Sequence, residues 1–179
     1  MSFIPTFSFE LNNTWIFSLI YLIISNGFIF LIPKHNISKF TQVPKIKYIN
    51  TANYILYYSF FIISMFVPIK NTSFIFILAI SIFIIGILLY TTSIFYFAIS
   101  EYDKPVTEKL YQMSRHPVYL SFLIIGVSIS LAGVSFLLLI IIILHFISTY
   151  YIAKEEEKQC IEKYGKKYKD YMKKVRMFI

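Results

Sequence analysis

Two short polar runs carry the chemical potential of this 179-residue chain. One is Ser114-Arg115-His116-Pro117-Val118-Tyr119 and the other is Glu155-Glu156-Glu157. Between His116 and Lys154 lie 37 residues with no Asp, Glu, Lys or Arg. An Arg offers carboxylates and phosphates a rigid fork of N–H donors. A His exchanges protons near neutral pH, and a Glu accepts hydrogen bonds from hydroxyl or ammonium groups. Pro117 pre-sets φ for a first helical residue, so Arg115 and His116 stand at a helix start. Other chemistries are excluded. Five glycines (27, 86, 126, 133, 165) spell neither a phosphate loop nor a dinucleotide fingerprint. No serine elbow and no paired intramembrane carboxylates are present. The single Cys160 excludes an internal disulfide, and with three scattered His it makes no zinc-ligand spacing.

Long uncharged stretches must position these groups. The chain is 58% hydrophobic, 20% aromatic and only 15% charged, and its mean hydropathy is +0.68. A soluble domain is about 25% charged, so neither a soluble globule nor a disordered chain fits. Besides the 37-residue block, uncharged runs of 23, 22 and 30 residues follow Glu10, Lys47 and Lys70. A crossing takes about 20 residues, which predicts helices over Trp15–Ile32, Asn53–Ile69 and Phe74–Ile99. The last block as one helix would run about 55 Å, far beyond a bilayer. Ala132-Gly133 inside it predicts a hairpin, Val118–Leu131 and Val134–Ala153. The class is therefore all-α, a polytopic membrane protein of about five transmembrane helices with a C-terminal helical hairpin and a cytoplasmic amphipathic tail.

Charge asymmetry supports five spans. The 34–50 loop, the 100–117 loop and the tail carry 4, 3 and 9 of the 17 Lys and Arg residues, leaving Lys70 on the other side. The positive-inside rule places the N-terminus outside and the tail in the cytoplasm. The net charge of +8 is this topology signal plus attraction to anionic lipid, not a nucleic-acid interface. The N-terminal MSFIPTFSFELNNTW has no basic region and no small-residue cleavage site, so it does not read as a signal peptide. One integral membrane domain spans 1–179, in the cell membrane of a prokaryote or the endoplasmic reticulum of a eukaryote. Its partner on this reading is the bilayer, with no oligomeric state implied. Beyond Gly165, Tyr164, Tyr168, Tyr171 and Val175 form one stripe, suited to the membrane surface or to the protein itself.

The order Arg115-His116-Pro117-Val118-Tyr119-Leu120, apolar hairpin, Glu156-Glu157, then Tyr164-Gly165-Lys166-Lys167-Tyr168-Lys169-Asp170-Tyr171 resembles the integral membrane methyltransferases. That group includes isoprenylcysteine carboxyl methyltransferase and phosphatidylethanolamine N-methyltransferase. The resemblance covers 106–175. Two positions depart from the pattern: Lys109-Leu110-Tyr111 stands where the family has Gly-x-Tyr, and Ser121 where it has Gly. The resemblance implies methyl transfer from S-adenosylmethionine to a lipophilic acceptor at the cytoplasmic face, such as a prenylcysteine-like carboxyl. It implies a cofactor pocket at 106–175 built from His116, Pro117, Tyr119, Glu156 and Glu157, with Arg115 and Arg176 as catalytic residues clamping the acceptor.

Each residue also has a plainer reading. Arg115 could serve lipid headgroups, Tyr119 an aromatic belt, and Arg176 a lipid phosphate. The Glu triplet could be solvated charge balanced by Lys154 and Lys158. Adjacent helix positions differ by about 100°, so Glu156 and Glu157 cannot both face one pocket squarely. His145 falls inside the fifth span, in the acceptor cavity or bonding across helices, and Cys160 reads as buried and inert. Small Ser121, Gly126, Ser128 and Ser130 on the fourth helix border a lipid route or simply pack it tightly. Two other functions compete: a reductase resembling the steroid 5-alpha-reductase group, and a non-catalytic membrane protein.

Overall fold

The computed structural model describes residues 9–31, 46–71, 74–101 and 104–179. Among them the fold is helical: α1 (Trp15–Leu31), α2 (Lys47–Ser64), α3 (Phe74–Ile99), α4 (Pro117–Ala132), α5 (Phe136–Tyr164) and α6 (Lys166–Lys174). A 3-10 turn spans Lys109–Gln112, and one isolated bridge joins Asn13 to Pro68. Residues 1–8 and most of the 34–50 loop, both used in the topology argument, lie outside the described residues. Two helices, α3 and α5, are long and apolar enough to cross a membrane, with mean hydropathies of 2.8 and 2.3. α1 and α4 are apolar but shorter.

α4 and α5 pair as a hairpin, α3 runs along α4, α2 along α5, and α1 leans across α2 and α3. Ile125, Ile129, Leu138 and Ile142 interlock in the hairpin, and Phe60 and Phe83 join them. The outward faces stay apolar: Ile84 and Leu88 on α3 are 53% and 60% exposed, and Ile143 and Ile147 on α5 are 46% and 49% exposed. An apolar surface of this kind needs a covering of its own character.

The 37-residue block breaks where the sequence places the break, but the turn works differently. Gly133 has φ −90, an ordinary value. The left-handed residue is Val134, at φ 48, a strained place for a β-branched side chain. Gly133 is needed for space: a Cβ there would lie 2.3 Å from Val67 Cγ1. Ser135 then caps α5 by accepting from the Leu138 amide.

The second helix departs from expectation. It starts at Lys47, six residues before the predicted Asn53, and stops at Ser64 rather than Ile69. Pro68 cannot continue a helix, and the residue before a proline avoids helical geometry. Val67 is apolar because it is buried in this return, at 2% exposure. The return is clamped: Thr14 Oγ1 donates to Ser64 O at 2.9 Å, Asn13 Nδ2 to Met65 O at 2.8 Å, and Lys70 N to Ala132 O at 2.9 Å. Side chains entering α1 thus satisfy carbonyls at the end of α2, which the helix leaves without partners.

The stripe of small residues on α4 is packing, not a lipid route. Ser121, Ser128 and Ser130 are each buried to 2% exposure or less. Each donates to a carbonyl of its own helix, at Pro117, Ile125 and Gly126. A Cβ on Gly126 would fall 2.3 Å from Ile142 Cγ1 and 2.4 Å from its Cδ1. Ile142 is fully buried and has little room to move. Gly126→Ala should therefore cost about 1–3 kcal/mol by overpacking, read as a lower midpoint in thermal unfolding in detergent. Gly126→Trp should abolish folded yield.

Gly165, at φ 57, takes the backbone conformation that favours glycine and separates α5 from α6. Tyr168 and Tyr171 on α6 are buried on the protein, and Tyr171 Oη donates to Tyr111 O at 2.5 Å. The amphipathic stripe therefore faces the protein, with Lys166, Lys167 and Lys169 turned outward.

Candidate active site

The two polar runs meet. Pro117 opens α4 as its first residue, which leaves Arg115 and His116 at the helix entrance, opposite the point where α5 carries Glu156 and Glu157. Arg115 Nε donates to Glu157 Oε1 at 2.6 Å, with 9% and 7% of the two side chains exposed. His116 Nε2 lies 3.3 Å from the same oxygen and His116 Nδ1 3.5 Å from Glu156 Oε2. Tyr119 Oη donates to Glu156 Oε1 at 2.5 Å, and its ring stacks on His116 at 5.6 Å and 8°.

The chain beyond α6 closes the cluster. Arg115 Nη1 donates to Val175 O at 2.5 Å and to Met172 O at 3.2 Å. The amides of Arg115 and His116 donate to Arg176 O and Met177 O, and Ser114 Oγ donates to Met177 O at 3.1 Å. Phe178 then packs on Phe146, at 4.8 Å, and on His116, at 6.1 Å.

This geometry separates the predicted site residues. His116, Pro117, Tyr119 and Glu156 line a cavity of about 570 Å³, within the range of small-molecule sites. Glu157 is not on its wall. It is tied to Arg115 and His116 behind the wall, as a rotation of about 100° from Glu156 requires. Arg115 reaches the cavity, but its Nε and Nη1 are committed to Glu157 and to two carbonyls. The fork that would clasp a carboxylate is already in use. Arg176 is exposed and off the cavity wall, and its backbone carbonyl is what the cluster uses. The expected two-arginine clamp does not form.

Electrostatics sharpen the contrast. Burial raises the Glu156 carboxyl above its ordinary value, more than the opposing pull of His116 and the Tyr119 hydrogen bond. Burial would raise Glu157 too, but hydrogen bonds from His116 and Arg115 and their charges hold it below the ordinary value. Cys160, read as buried, is half-buried and on the cavity wall. Burial pushes its thiol up to about 11, so it stays protonated and unreactive.

The cavity extends well past the polar cluster. His145, Thr149, Ile152 and Glu156 all line it, at spacings of four, three and four that make one face of α5. Tyr57 from α2, Tyr90 from α3 and Phe122 from α4 surround its far end. The sequence held this signal as a helical stripe joining His145 to Glu156, but the aromatic side chains from three other helices gave none. Among the described residues no group of three His, Cys, Asp or Glu could hold a metal ion. No family model matches the chain, and no curated protein matches it.

Proposed function

We propose that the chain is an S-adenosylmethionine-dependent methyltransferase of the kind its sequence resembles, acting on a lipophilic acceptor at the cytoplasmic face of a membrane. One observation carries the reading: Glu156 is a half-buried carboxylate on the wall of a cavity that joins a polar mouth to an aromatic interior. The residues fit such a cofactor. Glu156 is placed to accept from ribose hydroxyls or an ammonium group, and the aromatic faces of Tyr119 and Tyr164 suit a flat base or a sulfonium. Tyr119 and His116 hold the Glu156 carboxylate in position, and the 172–178 segment covers their outer side. Bound S-adenosylmethionine supplies a methyl group that is already activated. The protein's share is then to align the partners and exclude water.

The reductase alternative is less well served. A nicotinamide nucleotide phosphate needs several cations aimed at phosphate oxygens. Arg115 has its fork engaged, and Glu156 faces the same space. Calorimetric titration of the detergent-purified chain with S-adenosylmethionine and with NADPH tests this. Heat from the first alone supports the proposal, heat from NADPH alone replaces it with the reductase, and silence from both overturns it.

The membrane arrangement belongs to the same proposal: α1 to α5 span the bilayer, with α5 continuing into the cytosol and α6 resting on that extension. It rests on the 16 Lys and Arg residues assigned to one side against one on the other. α4, 16 residues long, reaches about 24 Å and so crosses only a thinned or tilted region. A reporter fused after Ile179 should be active only in the cytoplasm. Activity on the outer side would overturn the orientation and separate the site from cytosolic cofactor.

A further inference from the structure

The far end of the cavity holds one strongly polar side chain that the cofactor reading does not use. His145, 8% exposed, sits edge-on to Phe122 at 5.0 Å and 6.0 Å from Tyr57, and it lines the cavity. It lies eleven residues before Glu156, about 16 Å deeper along the same face of α5. A polar ring at that depth, walled by aromatics, is costly unless it is partnered.

Its other side is organised by a relay from α2. Asn53 Nδ2 donates to Ser148 Oγ at 2.8 Å and to Thr149 Oγ1 at 2.9 Å. Ser148 Oγ in turn donates to His145 O at 2.7 Å. Thr149 Oγ1, already accepting from Asn53, has its hydroxyl proton to give, and His145 Nδ1 lies 3.5 Å away. If Nδ1 accepts, the proton of the neutral ring is on Nε2, the nitrogen left for the cavity.

We propose that the deep end of this cavity is a recognition site for an oxygen acceptor, a carbonyl or ester, on a lipid-soluble molecule, and that His145 Nε2–H is the donor that binds it. Asn53 and Thr149 are positioning residues that set the tautomer. A hydrocarbon there leaves the donor unsatisfied, whereas a matched oxygen satisfies it, so discrimination comes from one hydrogen bond in an otherwise apolar lobe. That the bound molecule is the methyl acceptor rests on the methyltransferase reading; that the lobe selects an oxygen-bearing lipid does not.

The test uses the full chain in lipid nanodiscs with ¹⁵N-labelled histidine, of which it has three. His145→Gln identifies the His145 signals by their loss. The ring should be neutral with the proton on Nε2, and Thr149→Val should move the proton toward Nδ1. Titration with 2-tridecanone should shift the His145 signal saturably, while tridecane should not. The ketone should bind about two- to ten-fold more tightly than the hydrocarbon. His145→Leu should abolish that preference, and His145→Gln, which keeps an N–H donor, should retain part of it. A proton on Nδ1 in the parent chain, or equal response to ketone and hydrocarbon, would overturn the proposal. S-adenosylmethionine titrated into the same samples separates the two readings, since cofactor binding can fail while the ketone response persists.

Discussion

Replacing Glu157 by Leu is expected to lower folded stability by about 3–5 kcal/mol. The change leaves the Arg115 guanidinium, 9% exposed, buried without its carboxylate, and an uncompensated buried charge is far costlier than the loss of a contact. Arg115→Met should cost as much, because it strands Glu157 and also removes the donor to Met172 O and Val175 O. The double variant should recover only part of the loss: the charges are gone, but two carbonyls still lack their partner. Thermal or denaturant unfolding of the four proteins closes the cycle. Single variants within 0.5 kcal/mol of the parent would show that the pair does not hold the site together. Acid should act in the same direction. Glu157 is held below its ordinary value, so its contribution is present above about pH 4.3 and is lost as pH falls through its lower folded value.

Glu156→Gln should do the opposite: leave folding nearly intact and weaken S-adenosylmethionine. A charged acceptor removed from a cofactor contact costs about 1.5–3 kcal/mol, or ten- to a hundred-fold in affinity. Its pH dependence distinguishes it as well. Burial raises the Glu156 carboxyl, so affinity in the parent should fall on acidification at a higher pH than ordinary carboxylates titrate. Glu156→Gln should remove that step. Unchanged affinity in the Gln variant would assign the residue to structure alone. The roughly 100° between adjacent helix positions allows only one of Glu156 and Glu157 to face the pocket squarely, and the two substitutions should give different phenotypes, one in binding and one in unfolding.

Helices were legible where the sequence lacks charge and breakers together. Trp15–Leu31 and Phe74–Ile99 match their uncharged runs, and the hairpin turns where Gly133 interrupts a run too long for one span. The second helix was misplaced because hydropathy does not distinguish a helix from a buried extended return. Val67 is as apolar as a helical residue would be, and Pro68 was the only local sign of the change. The site was legible as two clusters facing one another across a hairpin. Which members line the cavity with groups still uncommitted was not, because that depends on partners more than 55 residues away: Met172 and Val175 compete for Arg115. The tyrosine-rich interior was hidden for the same reason, since Tyr57, Tyr90 and Phe122 come from three helices whose rotations no single segment specifies.

The hold that residues 172–178 have on the helix entrance also sets an order of events. Arg115 and His116 are synthesised some sixty residues before the carbonyls of Met172, Val175, Arg176 and Met177 that complete their hydrogen bonding. Until that segment emerges, the guanidinium lacks its carbonyl partners and the cavity mouth lacks its outer cover. Assembly of the site is thus a late step of biogenesis, timed by the emergence of a segment that itself lines little of the pocket. A protease cut between Lys174 and Val175 would return the protein to that earlier stage with every helix still in place.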